Sequence, residues 1–252
     1  IVVNGNGVVA PHLDNTLQEI GRSLSLAATP ASGWVFSNWL VGSSPVLGGK
    51  LTFVMQSNLV VTANFVTNRF LASQGVFNGL ALDSTAPTHE HSGFATIKLT
   101  SAGGFSGTLI YGGKKVALKG SFDLAGNASV NILAPLPLTV TLALQPAGDV
   151  VLGTIGDNGS SIPVRLNRAG FSKTAPATAL AGLYTLLVQP NTNNSIIIGD
   201  GFGTATVDAA GNVALKGILA DAAPVAQKVG LSSSGDWPFF ASLYAGKGSI
   251  IG

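Results

Sequence analysis

A chain of 252 residues in which 46% of side chains are hydrophobic and only 10% are charged must cover its surface with Ser, Thr, Asn and Gly, because charged residues usually supply about 25%. The formal net charge of +2 is a small difference between 13 basic and 11 acidic residues, and Lys114-Lys115 is the one adjacent basic pair, so nucleic acid is not an expected partner. The absence of cysteine excludes disulfides and thiolate metal centres, and no apolar run reaches the roughly 18 residues needed to span a bilayer; the stretch from Ile132 to Leu144 is broken by Pro135 and Pro137.

The 33 glycines and 12 prolines are spread along the chain, which predicts many short strands joined by turns and disfavours helix throughout. Only Asn15 to Ile20 reads as a helical turn. Leu24-Ser-Leu-Ala-Ala, Leu51-Thr-Phe-Val-Met and Leu59-Val-Val-Thr-Ala-Asn-Phe alternate apolar with small polar residues, the period of strands with one buried face. Turn signals separate them at Asn4-Gly5-Asn6-Gly7, Thr29-Pro30-Ala31-Ser32-Gly33 and Leu47-Gly48-Gly49.

This first block resembles the divergent InlB-type B-repeat of bacterial surface proteins. The residues that carry the resemblance are Gly7-Val8-Val9, Gly21 ahead of Leu24-Ser-Leu-Ala-Ala-Thr-Pro, Gly33-Trp34-Val35-Phe36 with Trp39, and Phe53-Val-Met55 leading to Val61-Thr-Ala-Asn-Phe65. The resemblance covers residues 1–66 and implies a small β-grasp-like module with no catalytic residues. Thr67-Asn68-Arg69 marks the expected boundary with a second domain, residues 67–252.

That second part reads as an internal duplication, with halves at about 70–176 and 177–252. Gly75-Val-Phe77 and Ser92-Gly93-Phe94 are answered by Gly182-Leu-Tyr184 and Asp200-Gly201-Phe202. Gly107-Thr-Leu109 is answered by Gly217-Ile-Leu219, and Gly126 by Gly235. Offsets that drift so little suggest duplicated antiparallel meanders. Asp123-Leu-Ala-Gly126-Asn127 and Asp208-Ala-Ala-Gly211-Asn212 are one turn sequence, Asp first and Gly where φ is positive. The expected fold is therefore all-β: a β-grasp-like domain followed by a duplicated β-barrel or β-sandwich. The first half continues through Ile162-Pro-Val-Arg-Leu, whereas the second stops at Gly248-Ser-Ile-Ile-Gly252, so its meander should be short by about one strand, leaving an open edge or a place for a strand from elsewhere. This region is also similar to the Gly-rich β-domains of large exported proteins of Verrucomicrobia-type bacteria, through its Gly-Phe-x-Thr motif and its ending Trp237-Pro238 to Leu243-Tyr244 and Gly246-Lys247-Gly248.

Few residues invite chemistry. His89 and His91 would share one face of a strand, a spacing zinc or copper can use, but no third ligand lies nearby and a solvated loop is the expected reading. Asp157-Asn158-Gly159 opens like a calcium loop, lacks the closing Glu, and is expected to be a hairpin. The other acids fall singly in turns, and there is no Gly-x-Ser-x-Gly elbow, so no enzymatic activity, metal or cofactor is expected. Trp34 and Phe36 are assigned to the core, whereas Trp39 and Trp237 are candidates for stacking on a ligand.

Ile1 is not a translation start, so the chain reads as a mature or excised segment. A mean hydropathy of +0.44 needs a sink in a large core or a subunit contact. The expected function is a non-catalytic, extracellular or cell-surface structural or adhesive protein, in its specific form a self-associating fibre subunit that pairs with itself or with other surface proteins. The alternatives are a glycan-binding module with an exposed tryptophan and a barrel carrying a small apolar ligand.

Overall fold

The computed structural model describes residues 1–13, 16–85, 87–189 and 199–252. The chain divides into two compact units, Ile1–Leu71 and Ala72–Gly252, and nearly all of its regular structure is strand.

The first unit holds two small sheets. Strands β1 (Val2–Asn4), β7 (Val61–Thr67), β4 (Trp34–Val41) and β5 (Ser44–Val46) form one in that order, and β2 (Gly7–Ala10), β3 (Ser23–Pro30) and β6 (Lys50–Val54) form the other. The first and last strands lie side by side and parallel, Val2 against Thr62 and Asn4 against Asn64. The core gathers Val9, Leu26, Trp39, Leu51, Val61, Ala63 and Phe65. Strict alternation would send Phe36 and Trp39 to opposite faces, but a bulge between Phe36 and Asn38 adds one residue to β4. Phe36 then pairs with Phe65 and Trp39 with Ala63, so both rings enter one core, their centroids 5.2 Å apart. Gly7 is obligatory for this packing, because a Cβ there would stand 2.5 Å from the Phe65 ring. Residues 16–20, where a helical turn was expected, form no helix, and residue 15 lies outside the described residues. A four-residue helix, α1 (Phe70–Ser73), lies at the division between the units.

The second unit is built on eight antiparallel strands, β8 (Gly75–Leu82), β9 (Ser92–Leu99), β10 (Gly104–Tyr111), β11 (Lys114–Ser121), β12 (Asn127–Ile132), β13 (Leu138–Leu144), β14 (Val150–Asp157) and β15 (Ser160–Arg168). Their order is β11-β10-β9-β8-β15-β14-β13-β12, a nearly closed barrel in which the first and last strands are bonded, Leu166 against Gly79. The opening falls between the sequential strands β11 and β12. Alternate residues of the strands fill the interior, and Phe77, Ile97, Leu99, Leu109, Tyr111, Leu118, Ile155 and Leu166 are almost wholly buried. Strong curvature brings neighbouring backbones close: a Cβ on Gly107 would stand 1.8 Å from the Thr96 carbonyl oxygen.

A second antiparallel sheet follows, β16 (Gly182–Val188), β17 (Gly201–Val207), β18 (Asn212–Ile218) and β19 (Pro224–Gly230) in sequential order, then a hairpin of β20 (Phe240–Leu243) and β21 (Gly248–Ile251). One face of the sheet, with Ala205, Val207, Val213, Leu215 and Val229, packs with Phe94 on the outside of β9 and with Phe171, Leu180, Trp237 and Phe239. The hairpin docks through Phe240, whose ring stacks on Phe94 at 6.2 Å.

The four strands β16–β19 repeat the pairing register of β8–β11. Gly75 pairs with Leu99 as Gly182 pairs with Val207, Phe105 with Leu99 as Val213 with Val207, and Gly104 with Ser121 as Asn212 with Gly230. In that register Gly107 corresponds to Leu215, so the likeness of Gly107-Thr-Leu109 to Gly217-Ile-Leu219 is two residues out of step. The shortfall of the second sheet exceeds one strand: among the described residues nothing in it takes the place of β12–β15.

Candidate functional site

Three of the acids expected in turns, Asp123, Asp208 and Asp221, hold those turns through their carboxylates. Asp208 Oδ1 accepts the backbone N–H groups of Ala210 and Asn212, and Oδ2 accepts from the Asn212 amide; the Asn212 side-chain bond, foremost, holds this carboxyl below its ordinary value. Asp123 takes the Asn127 N–H in the equivalent place. Asp221 takes the Ala223 N–H and the Tyr244 hydroxyl, and the latter lowers its carboxyl most. In the Asp157-Asn158-Gly159 stretch, Asn158 and Gly159 have φ of 44° and 92° and connect β14 to β15 as a two-residue hairpin.

His89 and His91 precede β9 in a turn, not on a strand. His89 Nε2 lies 3.0 Å from the Gly246 carbonyl oxygen and Nδ1 lies 3.0 Å from Ser249 Oγ. A carbonyl can only accept, so Nε2 carries a proton and donates to Gly246, while Nδ1 and the Ser249 hydroxyl share the second bond. Both nitrogens thus fasten the C-terminal hairpin. Among the described residues no three His, Asp or Glu side chains converge as a metal site would need.

Trp39 is 0% exposed and donates its indole N–H to the Gly48 carbonyl at 3.0 Å, so it offers no face to a ligand. The bulge in β4 turned it inward, which corrects its candidacy for stacking. Trp237 is half-buried and donates to Gln227 Oε1 at 2.9 Å. That bond fixes the ring over an apolar cavity of about 230 Å³ lined chiefly by Leu180, Tyr184, Ala205, Val213, Leu231 and Trp237. The cavity lies against the inner face of the second sheet, outside the barrel.

Beside the cavity runs β16, the edge of that sheet. Among the described residues no strand bonds to its outer side. Leu183 is 73% exposed, Tyr184 46% and Leu187 55%, and Phe202 next to Leu187 is 64% exposed. The strand Gly-Leu-Tyr-Thr-Leu-Leu-Val has no charge, no proline and no bulge in its pairing with β17, and so none of the usual protections of a free edge. The stopping of the repeated pattern after Gly248 pointed to an open edge; which strand forms it could not be read from the sequence.

The fold and this site define a cysteine-free all-β protein made of a small repeat-type unit and a barrel unit with an unprotected sheet edge. Residues 1–69 match the divergent InlB B-repeat domain family, and the rest of the chain matches no other family. Comparison with curated proteins and with solved structures gives no match. No helix among the described residues is long and apolar enough to cross a membrane.

Proposed function

We propose that this protein is a non-catalytic structural or adhesive module of a bacterial surface protein, exposed outside the cell, whose copies associate through a sheet edge. The observation that carries the reading is the match of residues 1–69 to the divergent InlB B-repeat family, whose members occur in surface proteins. The use of Asp83, Asp123, Asp208 and Asp221 as acceptors for backbone N–H groups in turns supports a chain whose carboxylates serve structure. Antibody labelling and protease treatment of intact source cells test it: the protein is labelled and cleaved from outside. Detection only after lysis overturns the reading.

A second reading, a site for a small apolar molecule, is favoured by the Trp237 cavity. The apolar lining and the engaged indole N–H suit hydrocarbon better than sugar. Titration with a small aromatic such as toluene should change Trp237 fluorescence, and a response unaltered by Leu231→Trp, which fills the cavity, refutes this second reading.

A further inference from the structure

We infer that β16 is a self-pairing edge: two copies of this chain join β16 to β16, antiparallel, into one continuous eight-stranded sheet. The inference rests on the surface-module reading for its setting, and on the structure of the second unit for its substance.

The unit itself shows what covers such an edge. β8 lies on β9 in the register that β16 has on β17, and the outer side of β8 is taken by an antiparallel strand, β15. The consequence is visible in the side chains. Phe77 on β8 is 0% exposed, whereas Tyr184, which has the same place on β16, stands nearly half in solvent. The barrel sheet is two four-stranded meanders joined through that one pairing. A second copy supplies β16 with the corresponding four strands.

The sequence of the edge is self-complementary. A two-fold axis through Thr185 overlaps all seven residues of Gly182–Val188 and is antiparallel by necessity. It sets Leu183 of one copy opposite Leu187 of the other on the outer face. On the inner face it sets Tyr184 opposite Leu186, beside the cavity under Trp237. Main-chain hydrogen bonds then hold the pair, and side chains entering the apolar cavity select the register. No charged residue lies on the strand, so two copies meet without like-charge repulsion. This contact is isologous and closes at two copies; it does not by itself propagate a fibre.

A single introduced cysteine tests the pairing, because the chain has none of its own. Thr185 and Thr204 are both exposed and directly paired on β16 and β17. In the full chain, mild oxidation of Thr185→Cys should give a covalent dimer of twice 25.4 kDa, since facing Cα atoms in an antiparallel pair lie about 4.5–5.5 Å apart, within disulfide range. Thr204→Cys, one strand further from the axis, should give no covalent dimer. In sedimentation, the wild-type chain should dimerise with concentration, and Leu183→Lys with Leu187→Lys should weaken the dimer at least about tenfold by opposing like charges, with the circular dichroism unchanged. A wild-type chain that remains monomeric, a Thr185→Cys variant that does not cross-link, or a dimer indifferent to the two lysines overturns the inference. Each of these outcomes leaves exposure on the cell surface untouched, whereas failure of cell-surface labelling leaves the edge pairing standing.

Discussion

Tyr111 shows how a single polar atom sits in an apolar barrel. Its hydroxyl and Asp157 Oδ1 are both buried, and neither has a hydrogen-bond partner. Burial, with the Asp157 charge adding to it, pushes the phenol up to about 12 from 10.0, although no well-formed bond joins the two groups. The folded state therefore holds this proton more tightly than the unfolded chain does. The contribution is complete below pH 10 and is lost as pH rises through about 12. Tyr111→Phe removes an unpartnered hydroxyl, and in urea titrations it should be more stable than the wild type by about 1 kcal/mol at neutral pH. Its advantage should widen between pH 10 and 12, and parallel losses for the two proteins over that range would refute the assignment. Other residues teach how far a sequence can be read. Glycines at turns were legible because positive φ leaves little choice: Gly126 and Gly211, at 89° and 75°, each follow an Asp that caps the same bend. Trp39 was not, because one inserted residue in β4 reverses the face on which every later side chain falls.

Among the elements, strands and hairpins follow from period two, but the partners of edge strands do not. β8 and β15 have no local signal for each other, since their pairing depends on how the whole ribbon curls. The same limit hid the role of His89, whose partners Gly246 and Ser249 lie at the far end of the chain. A ligand-like His-x-His pattern became a fastening for the β20–β21 hairpin once those contacts formed. His89→Ala should therefore speed amide hydrogen exchange at Gly248–Ile251 by about tenfold, as loss of about 1–1.5 kcal/mol of local hydrogen bonding implies, while the β13 and β14 amides exchange as before. Unchanged exchange in the hairpin would show that its apolar packing, Phe240 on Phe94 and Ala241 and Leu243 with Val225, holds it without His89. The repeated register of β8–β11 and β16–β19 was partly legible in paired glycines. The misalignment of Gly217 with Gly107 shows that one landmark in a glycine-rich strand cannot set a register.

For the molecule as a whole, a charge-poor chain with a surplus of apolar residues places much of that surplus inside two units and leaves a remainder on β16 and its neighbours. The all-β class was readable from composition and periodicity, as was the InlB-like block at the start. The division of the second unit into a barrel and a separate sheet was not, because identical registers support either closure, by β15, or an open side. That closure has a mechanical corollary. The barrel is sealed by its two ends, while β11 and β12, next to each other along the chain, share no ladder; the short link through Leu124 and Ala125 is a tether and not a seam. Severing it with a protease should give two fragments that travel together through a sizing column under native conditions and part only in denaturant. Fragments that separate without denaturant would show that the ring depends on the continuity of its thread and not on the meeting of its ends.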